Sequence, residues 1–302
     1  MKQLLRITAI LILSFTLQTT LHAQQPLYRD AIPMLNAQPY DSTDVLFPIA
    51  KFYGQLQRGI GSYNNEMFWN IKLGGLFQFY RFENSSINFL SLHELNATPY
   101  NDITFDPASA RWEETLNYSY RSHHAQYTVG YTHRCKHEID NFDPADSAQS
   151  IDVSQLTKRV VILSGPYFEF QNVVPVTSSS ELHVLARVDY TPISSDYRYP
   201  LTTNALSWND IGGEISLATR YKYTLSNTFD LHAKLWLNTS FFRSIGARSN
   251  YRVEAAGTLH GKNNAATIFI AREYMYDDLS SPIPHASQVV YVGFRLMSVN
   301  FW

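Results

Sequence analysis

The chain has 302 residues, a formal net charge of −2, no long basic run and a single cysteine, so an internal disulfide is excluded and nucleic acid is not expected as a partner. Beyond Ala23 no stretch approaches the ~18 consecutive apolar residues of a membrane-spanning helix. Aromatic residues reach 14%, with 20 Tyr, 18 Phe and 5 Trp, a composition that favours β structure.

Lys2 and Arg6 precede a compact apolar core from Ala9 to Leu17, and Leu21-His22-Ala23 suits cleavage before Gln24. Residues 1–23 therefore read as a cleaved signal peptide. No cysteine follows the cleavage region, so no lipoprotein anchor is expected there. Residues 24–48 carry Pro26, Pro33, Pro39 and Pro48 with little periodicity and read as an irregular N-terminal segment.

From about Phe52 the chain becomes a series of runs with a period of two, the signature of β-strands. Trp69, Ile71, Leu73 and Phe77 alternate with Asn70, Lys72 and Gln78; Leu231, Ala233, Leu235 and Leu237 alternate with Asp230, His232, Lys234 and Trp236. Twelve strands are predicted, at about 50–60, 66–81, 87–97, 110–121, 124–140, 157–171, 180–194, 208–224, 229–242, 251–260, 264–276 and 287–301. Tight turns at Glu83–Ser86, Ser122-His123, Leu225–Thr228 and Lys262–Asn264 alternate with longer segments at 98–109, 141–156, 195–207, 243–250 and 277–286. The 172–179 link is intermediate.

An even strand count, with short turns at one end and long loops at the other, predicts an all-β fold: an antiparallel transmembrane β-barrel of about twelve strands over residues 49–302. A final strand closing on Trp302 is similar to the assembly signal of bacterial outer-membrane proteins. The expected location is the bacterial outer membrane, with membrane lipid as partner and the outer-membrane assembly machinery engaged during biogenesis. A secreted or periplasmic β protein would share the alternation, but not the loop asymmetry or the terminal aromatic. The lumenal charges Arg187, Asp189, Glu214, Arg220, Lys222, Arg252 and Glu254 are expected to pair off and fill a barrel of this size rather than line a wide channel.

One strand breaks the pattern. From Tyr127 to Asp140, one face reads Tyr127, Val129, Tyr131, His133, Cys135, His137 and Ile139. Two imidazoles and the only thiol thus sit on a face that should meet lipid. With both termini periplasmic, this fifth strand runs outward, and His133, Cys135 and His137 fall near its extracellular end. A turn at Ser122-His123 sets Tyr131 opposite Glu114 and His133 opposite Trp112, leaving Glu114 as a diagonal neighbour of His133. Cys135, His133 and Glu114 could then serve as nucleophile, base and orienting acid, since a thiol is activated by an adjacent imidazole and a carboxylate fixes the imidazole tautomer.

The His-x-Cys pair on a barrel's outer face resembles the His-x-Ser pair of outer-membrane phospholipase A and the outer-membrane lipid A deacylases. That resemblance implies acyl-ester hydrolysis of membrane lipid, with His133 as base and Cys135 in the nucleophile position. Cysteine stands here where those families have serine, and Lys136 follows it. A longer stretch, His133-Arg134-Cys135-Lys136-His137-Glu138-Ile139-Asp140-Asn141, is similar to the His-x-Ser-Ser-His-Leu-Gly-Asp-Glu segment of an uncharacterised family of bacterial outer-membrane proteins. That resemblance implies a barrel and marks His133, His137 and Asp140 as family positions.

Three other readings compete. His133, Cys135 and His137 offer zinc ligands, although a span of ~13 Å lets one metal reach only two of them. Asp140, Asp143, Asp146 and Asp152 make an acidic loop of the kind that can take calcium, with a spacing that matches no calcium loop. No cofactor is predicted on this basis. Finally, His and Cys suit a membrane interface without any chemistry, the first by its polar tip and the second as a small apolar group. The barrel would then be non-enzymatic, serving to anchor, bind or pass a small solute.

Overall fold

The computed structural model describes residues 45–60, 68–82, 84–99, 103–122, 125–138, 158–199, 207–262, 264–277 and 286–298. The expected signal peptide, the acidic loop with Asp140 and the terminal aromatic lie outside the described residues. The strands are β1 (Val45–Ile60), β2 (Trp69–Arg81), β3 (Ser85–Thr98), β4 (Asp106–Ser122), β5 (Ala125–Glu138), β6 (Lys158–Thr177), β7 (Ser180–Tyr190), β8 (Ile193–Tyr199), β9 (Ile211–Ser226), β10 (Phe229–Phe242), β11 (Gly246–His260), β12 (Asn264–Met275) and β13 (Ser287–Ser298). Each pairs antiparallel with its neighbours, β1 pairs with β13, and β5 pairs with β6, so the sheet closes on itself.

β7 and β8 both pair with β6, one beyond the other, and form a single interrupted span. The architecture is therefore a closed antiparallel barrel of twelve spans, as the sequence predicts. Short turns join β2 to β3, β4 to β5, β6 to β7, β9 to β10 and β11 to β12. Val45 pairs with Arg81 and Ser298 with Asn264, so the first and last strands both meet the short-turn end.

Four expectations are corrected. β1 begins at Val45 rather than near 50, and Pro48 falls within an irregularity between Leu46 and Ile49. A proline cannot donate to the ladder, so the strand bulges there instead of starting after it. The 172–179 link is no loop: β6 runs to Thr177, which pairs with Ser180 across a tight turn. The expected long loop at 243–250 shrinks to three residues, because Phe242 pairs with Gly246. Gly246 has φ +74°, which suits a glycine, and Asp210 holds the turn by accepting from the Ser244 backbone N–H.

The expected continuous strand 180–194 is broken at Thr191-Pro192. Val188 and Tyr190 face outward on β7, whereas Ile193 and Tyr197 do so on β8. Outward positions thus change from even to odd numbers across the break. Opposite it, Gly165 admits the displaced chain: a Cβ there would lie 1.9 Å from the Tyr190 carbonyl oxygen. Gly165 is needed at this close approach.

The barrel is inside-out relative to a soluble protein. Leu73, Leu116, Val129, Leu217, Ile268 and Val292 are exposed on the outside, while Lys72, Arg134, Arg187, Glu214, Arg252 and Glu254 are buried within. An apolar exterior around a polar interior is what lipid selects in a spanning barrel. The lumenal charges are knitted together. Arg134 contacts Glu113 at 3.7 Å and Asp189 at 2.7 Å and also pairs with Glu214. Arg252 meets Glu254 at 2.8 Å and Glu273 at 2.9 Å, and Arg295 meets Glu254 at 2.9 Å. Arg252 also donates to Gln57 and Arg295 to Gln55, tying the last strands to the first across the lumen.

Toward the long-loop end the chain fills its own interior. Trp208, in a short 3-10 turn before β9, is fully buried with Val161, Leu163, Ile211 and Phe242. Its indole N–H donates to Asp277 at 2.9 Å and its backbone N–H to Asp196 at 3.0 Å. Arg159 holds the same two carboxylates, at 3.0 Å to Asp196 and 2.9 Å to Asp277.

Candidate functional site

The outer face of β3 to β6 carries a polar patch. Direct ladder partners run Ser91–Glu114–His133–Ser164 across these four strands. His133 Nδ1 lies 2.7 Å from Ser164 Oγ. On the other flank, Ser91 Oγ lies 3.0 Å from His93 Nε2. The next row toward the long loops is His93–Trp112–Cys135–Ile162, and the one after is Ala110–His137–Val160. On the opposite side of the patch the surface turns apolar with Phe89, Leu116, Tyr131 and Pro166.

His133, Cys135 and His137 occupy the expected lipid-facing parity, together with exposed Val129 and Tyr131. The expected register does not hold. Ser122 stays in the ladder, paired with Ala125, so the pairing is centred one residue further along the chain than expected. Moving the centre by one residue slides the pairing by two. Glu114 consequently stands directly across from His133 instead of diagonal to it, and Trp112 stands across from Cys135.

Height matters for a carboxylate facing lipid. His133 is eight residues past Ala125, where β5 begins at the short-turn end. That is ~27 Å of strand, or roughly 20 Å along the axis at ~40° tilt, near the edge of an apolar band ~25 Å tall. An exposed Glu114 at this height meets headgroups and water rather than the middle of the bilayer, where a charge is expensive. The site also has a firm floor. Behind it, on the lumenal face, the Thr132 hydroxyl donates to Glu113 at 3.3 Å, and Arg134 anchors β5 to Glu214 of β9.

Cys135 shares the outward face of His133, two residues further along β5. It is 2% exposed, faces Trp112 and Ile162 across the ladder, and no hydrogen bond joins it to His133. The Trp112 indole, directly across from the thiol, stacks on His137 of the next row with ring centroids 4.8 Å apart and an interplanar angle of 8°. Apolar surroundings leave a thiol inert. A maleimide is expected to label Cys135 slowly in the folded barrel and at the rate of a free thiol after denaturation, as followed by mass shift. Equal rates in both states would show that the thiol is open. His137 is engaged in its stack, and Asp140 lies outside the described residues. Among the described residues no three His, Cys, Asp or Glu side chains converge as a metal site.

Sequence reasoning missed Ser91, His93 and Ser164. A single serine or histidine in an alternating strand reads as ordinary. The signal available was parity: Ser164 shares its face with Pro166, Phe168 and Phe170, and Ser91 shares its face with Ile87 and Phe89, so each is a polar residue on an apolar side.

No family model matches the chain, and no curated protein matches it, so the resemblance of residues 133–141 to an uncharacterised family stands without a family match. Solved structures do match. LpxR from Salmonella typhimurium is 7% identical with a TM-score of 0.45, covering 83% of this chain and 100% of that one. The Salmonella typhi outer membrane phospholipase dimer with bound calcium is 12% identical with a TM-score of 0.42, covering 85% and 93%. The KdgM porin is 11% identical with a TM-score of 0.41, covering 82% and 96%. Hydrolases and a porin stand side by side among these matches, and such identities and scores say nothing about chemistry.

Proposed function

We propose that this chain is an integral outer-membrane β-barrel, exported by a cleaved leader and inserted by the outer-membrane assembly machinery, that hydrolyses acyl esters of membrane lipid on its outer face. The carrying observation is the 2.7 Å contact between His133 Nδ1 and Ser164 Oγ, with Glu114 directly across the ladder on the other side of His133. Ser164 takes the role of nucleophile in this reading. Its oxygen attacks the ester carbonyl carbon as His133 takes the hydroxyl proton, and His133 returns that proton to the leaving alcohol oxygen. Water then attacks the acyl-serine, with His133 again as base, releasing the fatty acid and restoring Ser164. Glu114 offsets the positive charge that His133 carries in between.

The test is fatty-acid release from phospholipid and from lipid A by refolded protein. Ser164→Ala and His133→Ala should each lower release by ~10³-fold or more, and Cys135→Ala should leave it nearly unchanged. Release that survives both of the first two substitutions would sink the site. Loss with Cys135→Ala and retention with Ser164→Ala would move the nucleophile to the thiol.

A second reading has its own observation. Ser164 is only 5% exposed, which suits a hydrogen bond that ties β5 to β6 in a non-enzymatic barrel. A folded protein that releases no fatty acid from either lipid would favour it.

A further inference from the structure

Formal charges are scarce on the outward faces. Among the described side chains they are Arg58 on β1, Glu114 on β4 and Arg272 on β12. Arg58 shares its face with exposed Leu56 and Ile60, and Arg272 shares its face with exposed Ile268 and Ile270. The two arginines flank the same strand: Arg58 pairs with Val292 and Arg272 with Val290, both on β13. Two inter-strand spacings and one step of two residues separate their backbones by ~12 Å. Both lie toward the long-loop end, near the last residues of their strands, Ile60 and Met275.

Neither arginine has a carboxylate partner among the described residues. The Arg58 guanidinium carbon sits 4.6 Å from the Phe68 ring centroid and 5.3 Å from that of Trp69. Stacking on rings engages the face of a guanidinium and leaves its N–H edge open. Arg272 turns its Nε and one Nη toward the side-chain amide of Gln288, a neutral group. Beside it, Tyr251 and Tyr274 stack with centroids 5.7 Å apart at 14°. Aromatic rings with arginines at one end of an apolar belt mark the level of the headgroups.

We propose that Arg58 and Arg272 form a binding site on the β12–β13–β1 face for the phosphates of anionic lipid in the leaflet at the long-loop end. Charge complementarity selects this occupant. A cation that faces hydrocarbon has to find a counter-charge, phosphate suits the guanidinium fork, and two uncompensated cations favour a headgroup with net negative charge over a zwitterionic one. The site rests on the belt lying in lipid and is independent of any hydrolysis at Ser164.

The test uses the full chain, refolded in detergent, delipidated and titrated with phosphatidylglycerol or phosphatidylcholine, with retained lipid counted by native mass spectrometry. Wild type should retain phosphatidylglycerol in preference to phosphatidylcholine by roughly thirty-fold, and the preference should shrink as salt is raised. The Arg58→Gln/Arg272→Gln double variant, checked for heat-modifiable gel mobility, should lose it. A wild-type preference that is absent, insensitive to salt, or intact in the folded double variant overturns the site. A wild-type chain that carries neither lipid counts against membrane placement as well, whereas equal uptake of both counts against the arginine site alone.

Discussion

Arg134→Met should lower the barrel's resistance to unfolding by about 3–5 kcal/mol. The guanidinium is buried against Glu113, Asp189 and Glu214 from three other strands. Its removal leaves carboxylates in the lumen without their counter-charge, and that penalty exceeds the net value of the original pairs. Arg187 still contacts Asp189 and lies 3.8 Å from Glu113, so the burden falls chiefly on Glu214. The measurement is the urea midpoint for loss of heat-modifiable mobility in detergent. Adding Glu214→Gln to Arg134→Met should recover part of the loss. An unchanged midpoint in the single variant would mean that water, not Arg134, satisfies these carboxylates.

Gly165→Ala should damage both the fold and the proposed chemistry. The added Cβ would meet the Tyr190 carbonyl oxygen at 1.9 Å and Pro192 Cδ at 2.6 Å. Both atoms belong to the chain at the β7–β8 break and cannot move aside as a side-chain end could. Overpacking of this kind costs about 1–3 kcal/mol or more. Ser164 is the preceding residue, so its distance from His133 should change as the strands separate, and lipid hydrolysis should fall by more than the loss of folded protein explains. Gly212→Ala is the control, because the nearest atom to its added Cβ is 3.7 Å away. Equal stability and equal activity in the two variants would refute the close approach.

Much of this molecule can be read from period-two alternation alone. Lipid outside and ion pairs inside force opposite chemistry onto successive residues, so Val129 and Tyr131 announce one face while Thr132 and Arg134 announce the other. Strand ends are harder, because polar residues belong equally to loops and to lumenal positions. Arg248, Ser249 and Asn250 look like a loop, yet they pair with β10. Pro192 hides in an otherwise regular run, and the face reversal it causes has no signature in composition. The patch was half visible. His133 and Cys135 stand out because they interrupt an apolar face, whereas the partnership of His133 with Ser164 depends on the β5–β6 register. That register is set across the 139–157 segment, whose length gives no hint of it.

The lumenal bonds that tie Arg252 to Gln57 and Arg295 to Gln55 bridge residues far apart in the chain. Arg134 likewise waits for Glu214, three strand pairings further round. A partly assembled sheet exposes these arginines and glutamates on its concave side with their partners not yet in place. Each added hairpin therefore gains little until β13 reaches β1, and the last pairing releases the interior stabilisation nearly at once. Assembly is consequently close to all-or-none: a chain truncated before β13 forfeits one strand's ladder and, with it, the electrostatic closure of the whole interior.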